Sequence, residues 1–517
     1  MNAHERDPRP HAVVIGSGFG GLAAAVRLGA RGYRVTVLEQ LDRPGGRAYV
    51  FKQDGFTFDA GPTIITAPFL FEELWEVAGR RMADDVELVP LDPFYRIRFH
   101  DGQTFDYSGD PEHMRREVAR LAPEDVEGYE RFVAFTADVY RVGFGNAEAP
   151  GLVDKSFHSV RSMLAAIPQL VRLQSWRSVY GLVAHFVKND RLRQILSFHP
   201  LLVGGDPTRT TAIYALIAHL ERAHGVHFAM GGTGALVDGL VGLIREQGGL
   251  VRCGERVERI LVRDERATGV VLASGEVLAA DVIVSNADSA QTYRSLLADT
   301  RRRRWSDARI RRTRSSMGLF VWYFGTSRRY EDIPHHMIML GPRYRPLLAD
   351  IFRNKRLATD FSLYLHRPTA TDTSLAPDGC EAFYVLSPVP NLEADTDWSV
   401  AAEPYRQAIA EHLEATVLPE LGAHVVSSRV MTPLDFRDRL DAYRGAGFGF
   451  EPLLWQSAWF RPHNVSEEVR GLYLVGAGTH PGAGLPGVVS SAKVLDAVVP
   501  HGSTVPARRR EHEAEHG

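Results

Sequence analysis

A run of glycines near the N-terminus constrains this chain more than any other feature. His11-Ala12-Val13-Val14-Ile15 is a short apolar segment that leads through Gly16-Ser17-Gly18-Phe19-Gly20-Gly21 into an alanine-rich, helix-forming stretch. Strand, glycine turn and helix in that order make the opening βα unit of a dinucleotide-binding Rossmann fold. Gly16 permits the tight turn, Gly18 lets the backbone approach a pyrophosphate, and Gly21 lets the helix pack closely on the sheet, with Gly20 inside the same turn. The helix N-terminus then aims free N–H groups at the phosphates. A second strand, Arg34-Val35-Thr36-Val37-Leu38-Glu39, ends in an acidic residue at about the twenty-residue spacing of a carboxylate that holds the adenosine ribose.

The next segments select the dinucleotide. Gly45-Gly46-Arg47 comes soon after Glu39, followed by Phe56-Thr57-Phe58-Asp59-Ala60-Gly61-Pro62. The glycine pair can bring backbone N–H groups to the pyrophosphate, and Arg47 adds a planar, permanently charged donor fork. A nicotinamide site needs neither. The stretch ending in Pro44-Gly45-Gly46-Arg47 resembles the second glycine motif of the amine oxidase and phytoene desaturase superfamily, whose members bind FAD. That resemblance extends the expected cofactor contacts to Gly61 and Pro62.

Two later segments read as returns to the cofactor domain. After Gly231-Gly232-Thr233-Gly234 the pattern predicts a helix from about 235 to 246, a strand through Arg256 to Ile260, and a meander ending at Asn286. The resemblance gives the Val257 backbone a contact with adenine, which is compatible with its being a core valine. The second return is Gly471 to Lys493, a strand, a Gly/Pro-rich loop and a helix. It adds Gly476, Gly478, Thr479, Gly487 and Val488 to the expected cofactor contacts. The last helix would aim its positive end at the flavin N1 and C2 carbonyl, where about half an elementary charge stabilises reduced flavin.

The expected class is therefore α/β: a Rossmann-like FAD domain of the p-hydroxybenzoate hydroxylase-like type, an inserted α+β substrate domain, and a helical membrane-associating region. The divisions are 10–110, 229–299 and 466–500 for the FAD domain, 111–228 for the helical region, 300–465 for the substrate domain, and 501–517 for a disordered tail. In the helical region, apolar positions such as Val160, Leu164, Ile167, Val171 and Trp176 alternate with Arg161, Arg172 and Arg177. Such a segment lies in a bilayer surface or packs into an ordinary core. The basic run from Arg301 to Arg314 reads as a solvated helix face in preference to a lipid contact.

Composition removes other classes. In 517 residues, 44% hydrophobic and 24% charged is ordinary for a globular protein, and a formal net charge of −3 gives no reason to expect nucleic acid. Two cysteines, Cys253 and Cys380, cannot build a disulfide framework and fit a reducing cytosol. No apolar run reaches roughly 18 residues, so membrane contact is expected to be peripheral, at the cell membrane from the cytoplasmic side. His512-Glu513-Ala514-Glu515-His516 has the spacing of a zinc-protease helix but sits in a polar tail without room for a third ligand downstream. His335-His336 lacks a Cys or carboxylate at ligand spacing and reads as loop, so no metal is expected.

Segments outside the cofactor motifs narrow the resemblance to bacterial-type phytoene desaturases over about residues 11 to 499. They include Gln174-Ser175-Trp176-Arg177, Phe198-His199-Pro200-Leu201, Phe361-Ser362-Leu363-Tyr364-Leu365-His366 and Gln456-Ser457-Ala458-Trp459-Phe460-Arg461-Pro462-His463-Asn464. The resemblance implies successive FAD-dependent dehydrogenation of phytoene via phytofluene and ζ-carotene toward neurosporene or lycopene, with hydride passing to flavin N5. Oxygen or a quinone would reoxidise the flavin. Removing two hydrogens from a hydrocarbon creates no oxyanion, so protein groups mainly position the chain. Trp322, Tyr323, Trp455 and Trp459 read as core or cavity-lining residues whose faces could also stabilise an allylic cation. His480 and Glu451 are conceivable proton acceptors, and the sequence selects neither. A later-pathway carotenoid desaturase, a carotenoid isomerase and a flavin-free prenyl-protein carrier are the competing readings. The intact glycine motifs weigh against the carrier. The oligomeric state stays open.

Overall fold

The computed structural model describes residues 7–146, 149–157 and 159–505; the His512 to His516 spacing lies outside the described residues. A five-stranded parallel sheet forms the base, in the order Leu250–Cys253, Arg34–Glu39, His11–Ile15, Val282–Ser285, Leu472–Leu474. His11–Ile15 and Val282–Ser285 are buried along their whole length, which explains why they read as continuous apolar runs instead of alternating. The helix Phe19–Ala30 follows the first strand and packs against the helices Thr233–Glu246 and Leu485–Lys493. The three segments of the expected FAD domain thus share one sheet.

The sheets differ from the sequence reading in two regions. The third parallel strand is Leu250–Cys253, whereas Val257–Arg263 starts a separate three-stranded antiparallel meander with Arg266–Leu272 and Val277–Ala279. Tyr95–Phe99 and Thr104–Tyr107, placed with the FAD domain by sequence, form the edge of a second, seven-stranded sheet. Period-two alternation identifies a strand but not the sheet it joins.

That second sheet runs in the order Val425–Met431, Gly318–Thr326, Glu381–Val389, Leu363–His366, His336–Leu340, Tyr95–Phe99, Thr104–Tyr107. Its faces are divided by side-chain alternation. Phe320, Trp322 and Phe324 bury against the helix Trp398–Thr416, while Leu319 and Val321 point into the interior cavity. The helical region forms Val160–Arg172, Val179–Phe186 and Asp190–Ser197, each started by a side-chain cap, from Ser159, Ser178 and Asn189.

Candidate active site

One cavity of about 920 Å³ runs from the glycine turns of the parallel sheet to the inner face of the seven-stranded sheet. Of the residues the sequence assigns to the cofactor, Gly16, Gly18, Gly20, Glu39, Gly45, Gly46, Arg47, Gly61, Pro62, Val257, Gly476, Gly487 and Val488 line it. The other three stand behind the wall. A β-carbon at Gly21 would lie 2.0 Å from the Gly16 carbonyl oxygen, so Gly21 serves helix–strand packing. A β-carbon at Gly478 would lie 2.5 Å from Ser289 Oγ, and buried Thr479 donates from Oγ1 to the Pro462 carbonyl at 2.6 Å.

The two glycine turns brace each other, with the Gly45 N–H donating to the Ser17 carbonyl at 3.1 Å, and both line the cavity. Gly16, at φ +89°, makes the left-handed step out of the strand, and Gly18 caps the helix with extended backbone and no side-chain bond. Glu39 is buried, receives Ser17 N–H at 2.9 Å and Ser17 Oγ at 2.6 Å on one oxygen, and receives Leu41 N–H at 2.9 Å on the other. These bonds fix a carboxylate whose remaining lone pairs face the cavity. Arg47 lines the cavity, and its buried Nε has no hydrogen-bond partner among the described residues. Burial lowers its proton affinity, and the Asp288 carboxylate offsets part of that. A desolvated cation, open helix N–H groups and glycine-bare walls fit a pyrophosphate, and the cavity's continuation past Gly476 to Val488 fits the flavin end of FAD.

The structure adds residues that sequence reasoning did not single out. Asn286, read only as the turn after a strand, sits among the glycines: its Nδ2 approaches the Gly16 carbonyl at 3.5 Å, and a β-carbon at Gly476 would lie 2.4 Å from its Oδ1. Its position at the carboxyl end of a central parallel strand was the available signal. Arg461 is buried and donates to the carbonyls of Gln456 at 2.9 Å, Ala477 at 2.8 Å and Phe450 at 3.2 Å. Asn464 Nδ2 donates to the His480 carbonyl at 2.9 Å. The Gln456–Asn464 motif thereby braces the last glycine loop.

Several expectations are redirected. None of Trp322, Tyr323, Trp455 and Trp459 lines the cavity; Trp322 and Tyr323 are fully buried, and the Tyr323 hydroxyl donates to the Ala60 carbonyl at 2.7 Å. Aromatic surface comes instead from residues such as Phe144, Phe157, Phe198 and Phe448. His480 lines the cavity, with Nε2 2.9 Å from the Leu152 carbonyl and its proton affinity lowered by burial to a pKa of about 4. The basic run is tied down: Arg304 pairs with Glu467 at 3.1 Å and Arg302 with Asp307 at 3.1 Å, and Arg309 stacks over Trp305 at 4.1 Å. His336 begins a strand rather than lying in a loop, and it pairs across the sheet with His366.

Glu451 lies outside the cavity wall, buried, with Arg209 3.4 Å away. Burial, only partly offset by Arg209, pushes its pKa up from 4.5 to about 7. The folded protein therefore holds a proton that the unfolded chain releases, and stability falls as pH rises from about 4.5 to 7. That difference corresponds to about 3 kcal/mol. Glu451→Gln is expected to remove this part of the slope and to raise stability at pH above 7, as measured by urea unfolding across that range.

A family model described as flavin containing amine oxidoreductase matches residues 19–494, which defines the class: an FAD-dependent oxidoreductase. The chain is 49% identical over 507 residues to a neurosporene-forming phytoene desaturase of Cereibacter sphaeroides, covering 97% of this chain and 96% of that protein. It is 50% identical to a lycopene-forming phytoene desaturase of Pseudescherichia vulneris, covering 93% and 97%. It belongs to the phytoene desaturase family within the flavin-containing amine oxidoreductases. Among solved structures, a cyclohexylamine oxidase of Brevibacterium oxydans superposes with a TM-score of 0.60 at 17% identity, covering 95% of this chain and 99% of that one. A putrescine oxidase matches with a TM-score of 0.63 at 13% identity, covering 95% and 99%. These two share the fold.

Proposed function

We propose that the chain desaturates phytoene in successive two-electron steps, via phytofluene and ζ-carotene, to neurosporene or lycopene. The observation that carries this reading is the single cavity: a polar crevice at the glycine turns opens directly into an apolar extension walled by Leu201, Leu216, Leu220, Leu319, Ile338 and Leu386. An amine substrate would need polar recognition along that wall, whereas a C40 polyene needs shape and exclusion of water. Relatives forming neurosporene and lycopene match about equally, at 49% and 50%, so both end points belong to the proposal.

Bound FAD would supply the two-electron acceptor that takes hydride from an allylic carbon. Gly16, Gly18, Gly20, Gly45, Gly46 and Arg47 would hold its pyrophosphate, and Glu39 its ribose. The Val257 backbone would meet the adenine. Gly61, Pro62, Gly476, Gly487 and Val488 would enclose the flavin, where the N-terminus of the Leu485–Lys493 helix favours negative charge. The apolar wall then orients the polyene and keeps water from the reacting carbons.

A substrate dissolved in lipid requires a membrane surface, and no helix among the described residues is long and apolar enough to cross one. The helix Val160–Arg172 offers the alternative. Met163 and Leu170 line the cavity, while Val160, Leu164, Ile167 and Val171 on the other side are 57, 59, 42 and 54% exposed, and Trp176 just beyond is 60% exposed. Exposed Arg161 and Arg172 flank this face. One helix thus separates the cavity from the surface we assign to the lipid headgroup boundary. Incubating the protein with FAD, phytoene in liposomes, and oxygen or a quinone tests the reading by chromatography. New polyenes with longer-wavelength absorption are expected. Unchanged phytoene alongside desaturation of an oxygenated neurosporene would move the enzyme later in the pathway and refute the substrate assignment.

A further inference from the structure

A polar chain borders the apolar part of the cavity on the inner face of the seven-stranded sheet, where His336, Tyr364, His366 and Tyr384 share one side. Tyr364 is partly accessible and lines the cavity. Its hydroxyl lies 2.7 Å from His336 Nδ1 and 3.1 Å from Thr63 Oγ1, and Thr63 Oγ1 is 2.8 Å from the Tyr384 hydroxyl. Tyr384 in turn donates to the Gly61 carbonyl at 3.2 Å, which ties the chain to the segment expected at the flavin. Behind Tyr364, His366 Nδ1 approaches His336 Nδ1 to 3.3 Å, and the ring nitrogens of His335, His336 and His366 gather within 4.8 Å. The three Nε2 atoms are buried without hydrogen-bond partners among the described residues.

Burial holds the imidazoles of this cluster in the neutral form. Burial holds His336 and His366 well below the ordinary imidazole range and His335 at a pKa of about 3, with the Arg367 guanidinium adding to the effect at His335. The titratable and charged groups facing His336 are Tyr364, Tyr95, His335 and His366, with Tyr384 beside His366 and the Arg367–Glu381 pair beyond His335. A neutral imidazole nitrogen has one in-plane site. When His336 Nδ1 accepts the Tyr364 hydrogen, Nε2 carries the imidazole proton, and passing the Tyr364 proton across the 2.7 Å contact makes His336 an imidazolium. Of the other polar groups there, Glu221 receives Tyr95 at 2.8 Å on one oxygen and meets His199 Nε2 at 3.1 Å on the other, whereas His480 is held through Nε2 by the Leu152 carbonyl and keeps a buried Nδ1 without a partner among the described residues.

We infer that Tyr364 and His336 form the proton-accepting relay of this active site, with Tyr364 touching substrate and His336 acting through it. The inference rests on the desaturation reading. Bound FAD would supply the two-electron acceptor for the hydride that leaves one carbon. The C–H bond on the neighbouring carbon breaks, its electron pair becomes the new C=C bond, and its proton bonds to the Tyr364 oxygen as the Tyr364 proton passes to His336 Nδ1. The relay resets when that proton passes back through Tyr364 to water that enters as product leaves.

The test follows anaerobic flavin reduction by phytoene in liposomes, using FAD-loaded wild-type, Tyr364→Phe and His336→Asn proteins. Asparagine keeps a hydrogen-bonding amide where Nδ1 stood but cannot take a proton, so it separates relay from packing. Both variants are expected to lose about 100-fold in reduction rate, with flavin content and half-saturating phytoene within about twofold of wild type. Nitrogen NMR of labelled histidine supplies a readout independent of turnover: Tyr364→Phe must shift the His336 signals. Wild-type rates in both variants, unmoved His336 signals, or the same loss from Glu221→Gln alone would overturn the relay. A wild-type flavin left oxidised by phytoene would instead refute the desaturation reading, and the relay's role with it.

Discussion

Gly18→Val yields a folded protein without FAD. The residue has φ −66° and ψ 168°, a conformation open to any L-amino acid, so valine adds no backbone strain. Its β-carbon would meet only Asn286 Nδ2 at 3.0 Å and the Gly45 carbonyl at 3.8 Å, and the amide can give way. The two methyl groups then take space in the cavity that Gly18 lines, where the pyrophosphate must approach. Flavin absorbance per protein is expected to fall below about a tenth of wild type, with helical circular dichroism preserved. Gly21→Ala makes the contrast. Its β-carbon, 2.0 Å from a backbone oxygen, should cost about 3 kcal/mol or more of stability rather than cofactor alone. Full flavin occupancy in the valine variant would sink the assignment of this turn.

Leu164→Glu combined with Ile167→Glu releases the protein from liposomes. Both side chains lie on the exposed face of Val160–Arg172, at 59 and 42% exposure, and neither lines the cavity. Sinking two such residues into lipid gains about 1.5–3 kcal/mol each when burial is complete, so replacing them with carboxylates should cut partitioning about 100-fold or more. Flavin content should stay at the wild-type level, and turnover with detergent-dispersed phytoene should be much less affected than turnover from liposomes. Co-sedimentation with vesicles reads the effect. Unchanged sedimentation would show that another surface docks.

Local features were legible in the sequence wherever one segment carries the whole signal. Gly16, Gly18 and Gly21 state their roles because turn, approach and packing all occur within six residues. The mix of apolar and basic positions in Val160–Arg172 was legible as a bilayer-surface or core segment, though only packing reveals that Met163 and Leu170 face the cavity while Leu164 faces out. What escaped depends on register between distant segments. His336 and His366 become neighbours because two antiparallel strands pair them, and nothing near His335-His336 announces that. Tyr95–Phe99 was assigned to the nearer domain because chain proximity is the default when pattern cannot choose a sheet. Leu250–Cys253 is short and only half buried, whereas Val257–Arg263 is a longer run, and the strand read through Arg256 to Ile260 belongs to the meander.

The central claim, FAD-dependent desaturation of phytoene, is tested most directly by an anaerobic titration. FAD-loaded protein is mixed with phytoene in liposomes, and the bleaching of the oxidised flavin band is compared with the double bonds formed in the extracted polyene. One flavin reduced for each new double bond, with no further product until oxygen or a quinone is admitted, is the expected result. A flavin that stays oxidised while phytoene remains unchanged would contradict the account.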